Sequence, residues 1–223
     1  MDDGVVYLPA MTPSAAQRDV SEPVTGPDRR ARRRQERRDQ VFTVAIELFV
    51  ERGYHNTTME DIAERAQVAR ATVFNHFERK MTFLEEWAAR RRERALAAAA
   101  DVQLADHHIG EILDRYMREL AHINTSARAE AVALVSPSVQ SANVLANLAL
   151  GKQLGGFIRK GQCRGEIRPE IDANQAGMLL AAGYLLTLTS WISAEPEPFD
   201  LRHELLRMLD VVLRGMVAAE PAG

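Results

Sequence analysis

An all-α fold follows from three features of this sequence. Apolar residues make up 46% of the 223 positions while aromatics make up only 6%, and the apolar set is rich in Ala and Leu, which suits packed helices better than sheets. Apolar side chains recur at helical spacing through most of the chain, and no period-2 alternation or internal repeat interrupts them. Runs of β-branched residues are few, so little of the chain favours strands. A chain of this length has ample material for a sizeable core.

The elements can be justified in order. Residues 1–28 hold four prolines, scattered acids and no period, and read as a disordered tail. A first helix is expected over about residues 31–52, because Val41, Ala45, Leu48 and Phe49 fall on one face, with Gly53 placed to end it in the left-handed conformation. Thr58 can cap a second helix, and Asp61 three residues on completes a capping box. Ile62, Ala63 and Ala66 face inward, a turn falls at about 67–69, and a third helix runs from about 70 to 77. Lys80 to roughly Leu104 reads as one long fourth helix. The stripe Ile109, Ile112, Leu113, Tyr116, Met117, Leu120 and Ile123 marks a fifth. Helices over about 127–135 and 138–161 follow, with a break expected near Ser136-Pro137, and Gly161, Gly165 and Pro169 mark a connection. The last two helices, about 172–193 and 200–218, are the most apolar, the final one with a seam of Leu201, Leu205, Met208, Leu209, Val212 and Met216.

Charge is unevenly placed. The chain carries a formal −3, yet residues 29–80 hold 12 Lys and Arg against 8 Asp and Glu, and seven arginines lie between Arg29 and Arg38. That is the electrostatic footprint of a phosphate-binding module. Immediately downstream, two short helices joined by a tight turn make a helix-turn-helix, in which the first helix braces across the DNA backbone and the second lies in the major groove. On the third helix Val73 and Phe77 define the inward face, so Ala71, Thr72 and Asn75 point outward with Phe74 and His76 on the flanks. Small Ala71 permits close approach. Asn75 has the amide to pair with adenine, and Arg70 can reach guanine; for both, phosphate or water contact is the equally open reading. Thr72, His76 and Lys80 suit phosphate contacts, which set register rather than sequence. Arg32, Arg33, Arg34 and Arg37 of the arm add counterion release, and Thr58 completes the expected DNA-facing set.

Residues 38–84 resemble the DNA-binding domain of the tetracycline-repressor (TetR) family. The resemblance rests on Ala45, Leu48, Phe49 and Gly53, then Thr58, Asp61, Ile62, Ala63, Ala66 and Val68, then Thr72, Phe74, His76, Phe77 and Lys80. The remainder of the chain is similar to the family only in helix order, in Gly161–Pro169, and in Trp191 followed by a final amphipathic helix. Four positions depart from the family pattern. Gln67 stands where a turn glycine is common, Ala69 replaces a serine cap, Ala71 replaces a glycine and Phe74 replaces a tyrosine. The resemblance implies an N-terminal three-helix helix-turn-helix domain (29–84) and a larger helical dimerisation and effector domain (85–223), about nine helices in all. It further implies a cytoplasmic homodimeric repressor that binds a palindromic double-stranded operator and is released by a small-molecule ligand. The last two helices of each subunit would pack as a four-helix bundle.

Other readings stand beside this one. A ligand-binding or scaffold dimer with impaired DNA binding is the alternative, through Gln67, Ala69 and Phe74. No nucleophile–base pair or carboxylate pair marks an enzyme, and no cofactor is expected. His107, His108 and His122 lack ligand partners at metal spacing, so no metal site is expected. Cys163 is alone, which fits a reducing compartment. Gly151-Lys152-Gln153-Leu154-Gly155-Gly156 is not a phosphate loop, because the lysine precedes the glycine pair and no strand leads in. Residues 173–194 carry no charge, but their Asn, Gln, Thr and Ser content argues for a buried interface helix rather than a membrane span. Arg90, Arg91, Arg92 and Arg94, interleaved with acids, read as a solvated face. Trp87, Tyr116, Tyr184 and Trp191 are candidate pocket residues, with core packing the default.

Overall fold

A computed structural model describes residues 27–100, 107–140 and 149–216 of the chain. The described residues form nine helices: α1 (Pro27–Arg52), α2 (Met59–Arg65), α3 (Arg70–His76), α4 (Met81–Ala100), α5 (Ile109–Ser126), α6 (Arg128–Gln140), α7 (Ala149–Cys163), α8 (Ala173–Trp191) and α9 (Leu201–Met216). The tail before Pro27, the expected end of the fourth helix at Leu104, and residues 217–218 of the last one lie outside the described residues. Contacts divide the chain into two units at Arg37/Arg38. In the first, Arg29 to Arg37 are exposed, and Arg32 pairs with Glu36 one turn on at 3.0 Å.

The second unit holds the remainder. Val41, Ala45, Leu48 and Phe49 are each at most 1% exposed, and they meet Ile62, Ala63, Val73, Phe77 and Phe83 in the apolar core. Gly53 ends α1 at φ +84°, with its N–H donating to Phe49 O at 3.0 Å. A residue with a Cβ resists that conformation. In the body, the stripe of α5 is buried as its spacing predicts, and α9 packs on α5 and α8 through Leu201, Leu205 and Leu209. The glycine group of α7 serves packing. A Cβ at Gly155 would lie 2.8 Å from Ala173 O, and one at Gly177 of α8 would strike the backbone of Gly151 and Gly155. Helices α7 and α8 therefore touch backbone to backbone.

Several expectations need correction. Helix α1 begins at Pro27, not about residue 31; proline's fixed φ suits a first helical position. No break occurs at Ser136-Pro137, because α6 continues through Pro137 to Gln140. Proline there deletes one backbone donor near the end of the described helix, and Ser138 Oγ donates to Leu134 O at 2.6 Å in the same turn. Gly161 is not part of the connection. It lies buried inside α7, where a Cβ would come within 2.9 Å of Ile109 and Ile167, and the turn itself uses Gly165 at φ +72°. Among the described residues, no helix is long and apolar enough to cross a membrane.

Candidate nucleic-acid interface and ligand cavity

The helix-turn-helix is built from local rules. Thr58 caps α2 by accepting from the Asp61 N–H at 3.1 Å, while Asp61 Oδ2 accepts from the Thr58 N–H at 2.8 Å. The bonds from Thr58 hold the Asp61 carboxyl below the usual carboxylate range, with Arg52 adding to the effect. At the other end of α2 the Val68 N–H donates to Ala63 O and the Gln67 N–H to Glu64 O, each at 3.0 Å. That pair of bonds is a Schellman ending, which requires a left-handed residue between cap and exit. Gln67 supplies it at φ +54°, a strain of about 1–2 kcal/mol for a residue with a Cβ. Ala69 opens α3 with no side-chain cap bond.

Helix α3 then presents the expected faces. Val73 and Phe77 are fully buried, with Phe77 stacked on Phe83 at 4.0 Å between centroids. Arg70, Ala71, Phe74 and Asn75 are exposed, and Thr72 and His76 are half-buried. The Arg70 guanidinium pairs with Glu60 at 2.6 Å and lies 5.4 Å from the Phe74 ring centroid. Both partners of that pair are about half exposed or more, 66% and 51%, so the interaction is worth no more than about 1 kcal/mol and exchanges readily for a base or phosphate. Arg32, Arg33, Arg34 and Arg37 are solvent-facing in their own unit.

Two residues of the sequence-derived set hold the domain together as well. The Thr58 hydroxyl is engaged in the capping box. Lys80 Nζ donates to Tyr54 O at 2.7 Å and Thr57 O at 2.9 Å, and sits 4.4 Å from the Tyr54 ring centroid. Partial burial pulls its pKa down. Lys80 thus ties the loop after α1 to the start of α4.

Of the four arginines of α4, Arg94 is exposed as expected, but Arg90 and Arg91 are not part of a solvated face. Arg90 bonds to Glu86 at 2.9 Å and to Asp39, and Arg38 forks onto Glu86 at 2.7 and 3.1 Å, joining α1 to α4. The bond from Arg38, then that from Arg90, holds Glu86 below the usual carboxylate range against the opposing effect of burial. Arg91 is 7% exposed. It donates to Glu130 Oε2 at 2.9 Å, Asn124 Oδ1 at 3.0 Å and Ile123 O at 3.3 Å. Glu130 also accepts from Trp87 Nε1 at 2.9 Å, and Asn124 donates to the Tyr184 hydroxyl at 2.9 Å. This chain of bonds links α4, α5, α6 and α8. The spacing of single residues along one helix contained no signal for it, since its members come from four helices.

Beside the network lies a cavity of about 480 Å³, walled by α4, α5, α6, α7 and α8 and by Arg79 and the first turn of α4. That volume suits a small-molecule site. Trp87 and Tyr184 line it. Tyr116 and Trp191 stand elsewhere, in the core. The Tyr116 hydroxyl meets Gln153 Oε1 at 3.3 Å, and Trp191 is 1% exposed beneath the Arg128 guanidinium. Burial raises the pKa of both tyrosines, Tyr116 and Tyr184. His107 pairs with Glu111 and His108 with Glu166, and among the described residues no group of three potential metal ligands comes together.

A compact three-helix head with an exposed third helix, followed by a helical body around an apolar cavity, defines a DNA-binding transcriptional regulator of the helix-turn-helix type. The model for bacterial regulatory proteins of the tetR family matches residues 41–87 of the chain. It is similar to the HTH-type transcriptional regulator UidR of Escherichia coli K12, 25% identical over 172 residues, covering 75% of this chain and 85% of that protein. It is similar to the transcriptional repressor BepR of Brucella suis, 24% identical over 82% of this chain and 93% of that protein. Among solved structures, Thermus thermophilus FadR, a TetR-family repressor in complex with lauroyl-CoA, superposes with a TM-score of 0.69 at 25% identity, over 83% of this chain and 98% of that one.

Proposed function

We propose that two copies of this chain form a repressor that binds a near-palindromic operator and is released when a small molecule fills the cavity. Residues 29–84 act as the operator-binding domain and 85–223 as the dimerisation and effector domain, working in the cytoplasm where the DNA lies. The observation that carries this reading is the outer face of α3. Ala71 and Asn75 are exposed on a helix fixed from behind by Val73 and Phe77, with Arg70 held by a solvent-facing ion pair and the exposed Phe74 ring. Asn75 and Arg70 read base edges, Thr72 and His76 set register on phosphates, and Arg32, Arg33, Arg34 and Arg37 add sequence-independent attraction.

Dimerisation through α8 and α9 accounts for the apolar side chains left exposed there. Leu179 is 60%, Leu186 71% and Val211 72% exposed, and burying such a row against its copy removes apolar surface from water. A two-fold pair presents α3 twice, about 34–36 Å apart, one turn of DNA. For release, the cavity wall includes Arg79, Met81 and Leu84, the residues through which α3 passes into α4. A ligand that prefers one placement of α4 shifts the spacing of the reading helices by its differential affinity. The ligand-bound Thermus FadR, a relative with a TM-score of 0.69, supports a small-molecule role for this cavity.

The test is affinity for duplex from the promoter of the protein's own gene, at stated salt. Binding at least about a hundredfold tighter than to scrambled duplex is expected; equal affinity for the two would refute specific recognition. The geometry does not favour the impaired-scaffold alternative, because the turn at Gln67 keeps both of its Schellman bonds and α3 keeps its exposed face.

A further inference from the structure

We infer that the cavity takes an amphipathic anion, a molecule with an apolar body and one carboxylate- or phosphate-like group, and that Arg92 holds the anionic end. The inference rests on the reading of the cavity as an effector site and adds the chemistry of its occupant.

Four arginines cluster near this site, and three have carboxylate partners. Arg90 is bonded to Glu86 and Asp39, Arg91 to Glu130, and Arg79 to Glu85 at 3.5 Å. Arg92 also lines the cavity and is half-buried, yet among the described residues it makes no hydrogen bond or ion pair. It shares the cavity wall with buried Tyr184. A guanidinium partly withdrawn from water without a counter-charge is costly, and an incoming anion relieves that cost. The planar fork of arginine matches a carboxylate or phosphate with two parallel bonds.

Among the described residues, no neighbouring carboxylate supplies the missing charge. Glu85, also at the cavity, is already engaged by Arg79. In the sequence between α6 and α7, residues 141–148 carry no charged side chain. The remaining wall is mostly apolar, with Leu84, Trp87, Leu120, Val135, Leu150 and Leu188. One unpaired cation on an apolar wall selects a charge and an apolar body together. An uncharged hydrocarbon leaves the guanidinium unmatched, and a cation meets repulsion.

The test uses the full chain without DNA. Octanoate, dodecanoate and hexadecanoate are titrated against the matching alcohols and trimethylammonium amphiphiles, by calorimetry and by the fluorescence of Trp87, with Trp87→Phe identifying the signal. The carboxylates should bind at least about tenfold more tightly than the alcohols, and the ammonium compounds weakest. Arg92→Gln should remove that preference while leaving alcohol binding within about twofold, and Arg92→Lys should keep much of it. Thermal melting checks that each variant folds. Equal binding of alcohols and carboxylates, or a preference unchanged in Arg92→Gln, overturns the anion assignment and leaves the effector reading standing. If no amphiphile of any charge binds, both readings fall.

Discussion

Arg70 and Arg91 lie twenty-one positions apart in the sequence and show two ways of using the same side chain. Arg70, on the reading helix, is paired once, with Glu60, in a contact open to water. Arg91, in the body, is buried and bonded to a carboxylate, an amide and a backbone carbonyl on two other helices. The first arrangement costs little to break, so the group stays available for the DNA contact proposed for it. The second leaves an uncompensated charge if broken, so it fixes the geometry of the cavity wall. The head is thus open to exchange of partners, and the body is tied across helices beside the cavity.

The contrast can be broken most severely where the body is tightest. Gly177→Ala should destabilise the protein by about 3 kcal/mol, because its Cβ would strike the backbone of α7; denaturant unfolding measures it, and a loss under about 0.5 kcal/mol would mean that α7 and α8 are not in backbone contact. Arg91→Met removes the buried cation and takes one bond each from Glu130 and Asn124, and should cost about 2 kcal/mol of stability. The matched change in the head, Arg70→Ala, should alter stability by less than about 0.5 kcal/mol, while weakening operator binding by about 1–3 kcal/mol. Melting and anisotropy on the same samples separate the two outcomes, and a large stability loss with unchanged DNA affinity would reverse the roles assigned here.

The smallest expected effect concerns Glu86, which joins α1 to α4. Its folded-state pKa is depressed, chiefly by Arg38, so its contribution is present above the ordinary glutamate value and is lost as pH falls through the lowered folded value. Glu86→Gln should therefore cost under about 1 kcal/mol near neutral pH, and the difference from the parent protein should vanish in acid. A gap that widens as pH falls would contradict that linkage.

What the sequence made legible is what short-range chemistry decides. The capping box of Thr58 and Asp61, the left-handed Gly53, and the inward Val73 and Phe77 each depend on residues within a few positions. Contacts between distant helices were not legible. Arg90 and Arg91 look solvated beside Glu85, Glu86 and Glu93, and only the approach of Asp39 and Glu130 buries them. Lys80 reads as a phosphate ligand in sequence, and its bonds to the carbonyls of Tyr54 and Thr57 come from a loop more than twenty positions away. Pro137 reads as a break, although a proline near a helix end deletes only one bond. Tyr116 and Trp191 carry the same aromatic signal as Trp87 and Tyr184, and packing alone divides core from cavity.

Footprinting on the promoter of the protein's own gene is the most direct trial of a paired α3 reading DNA. The account predicts two protected half-sites, related by near-twofold symmetry and centred about one helical turn apart, with protection weakened by Asn75→Ala. A single protected patch, or uniform protection along any duplex, would contradict it.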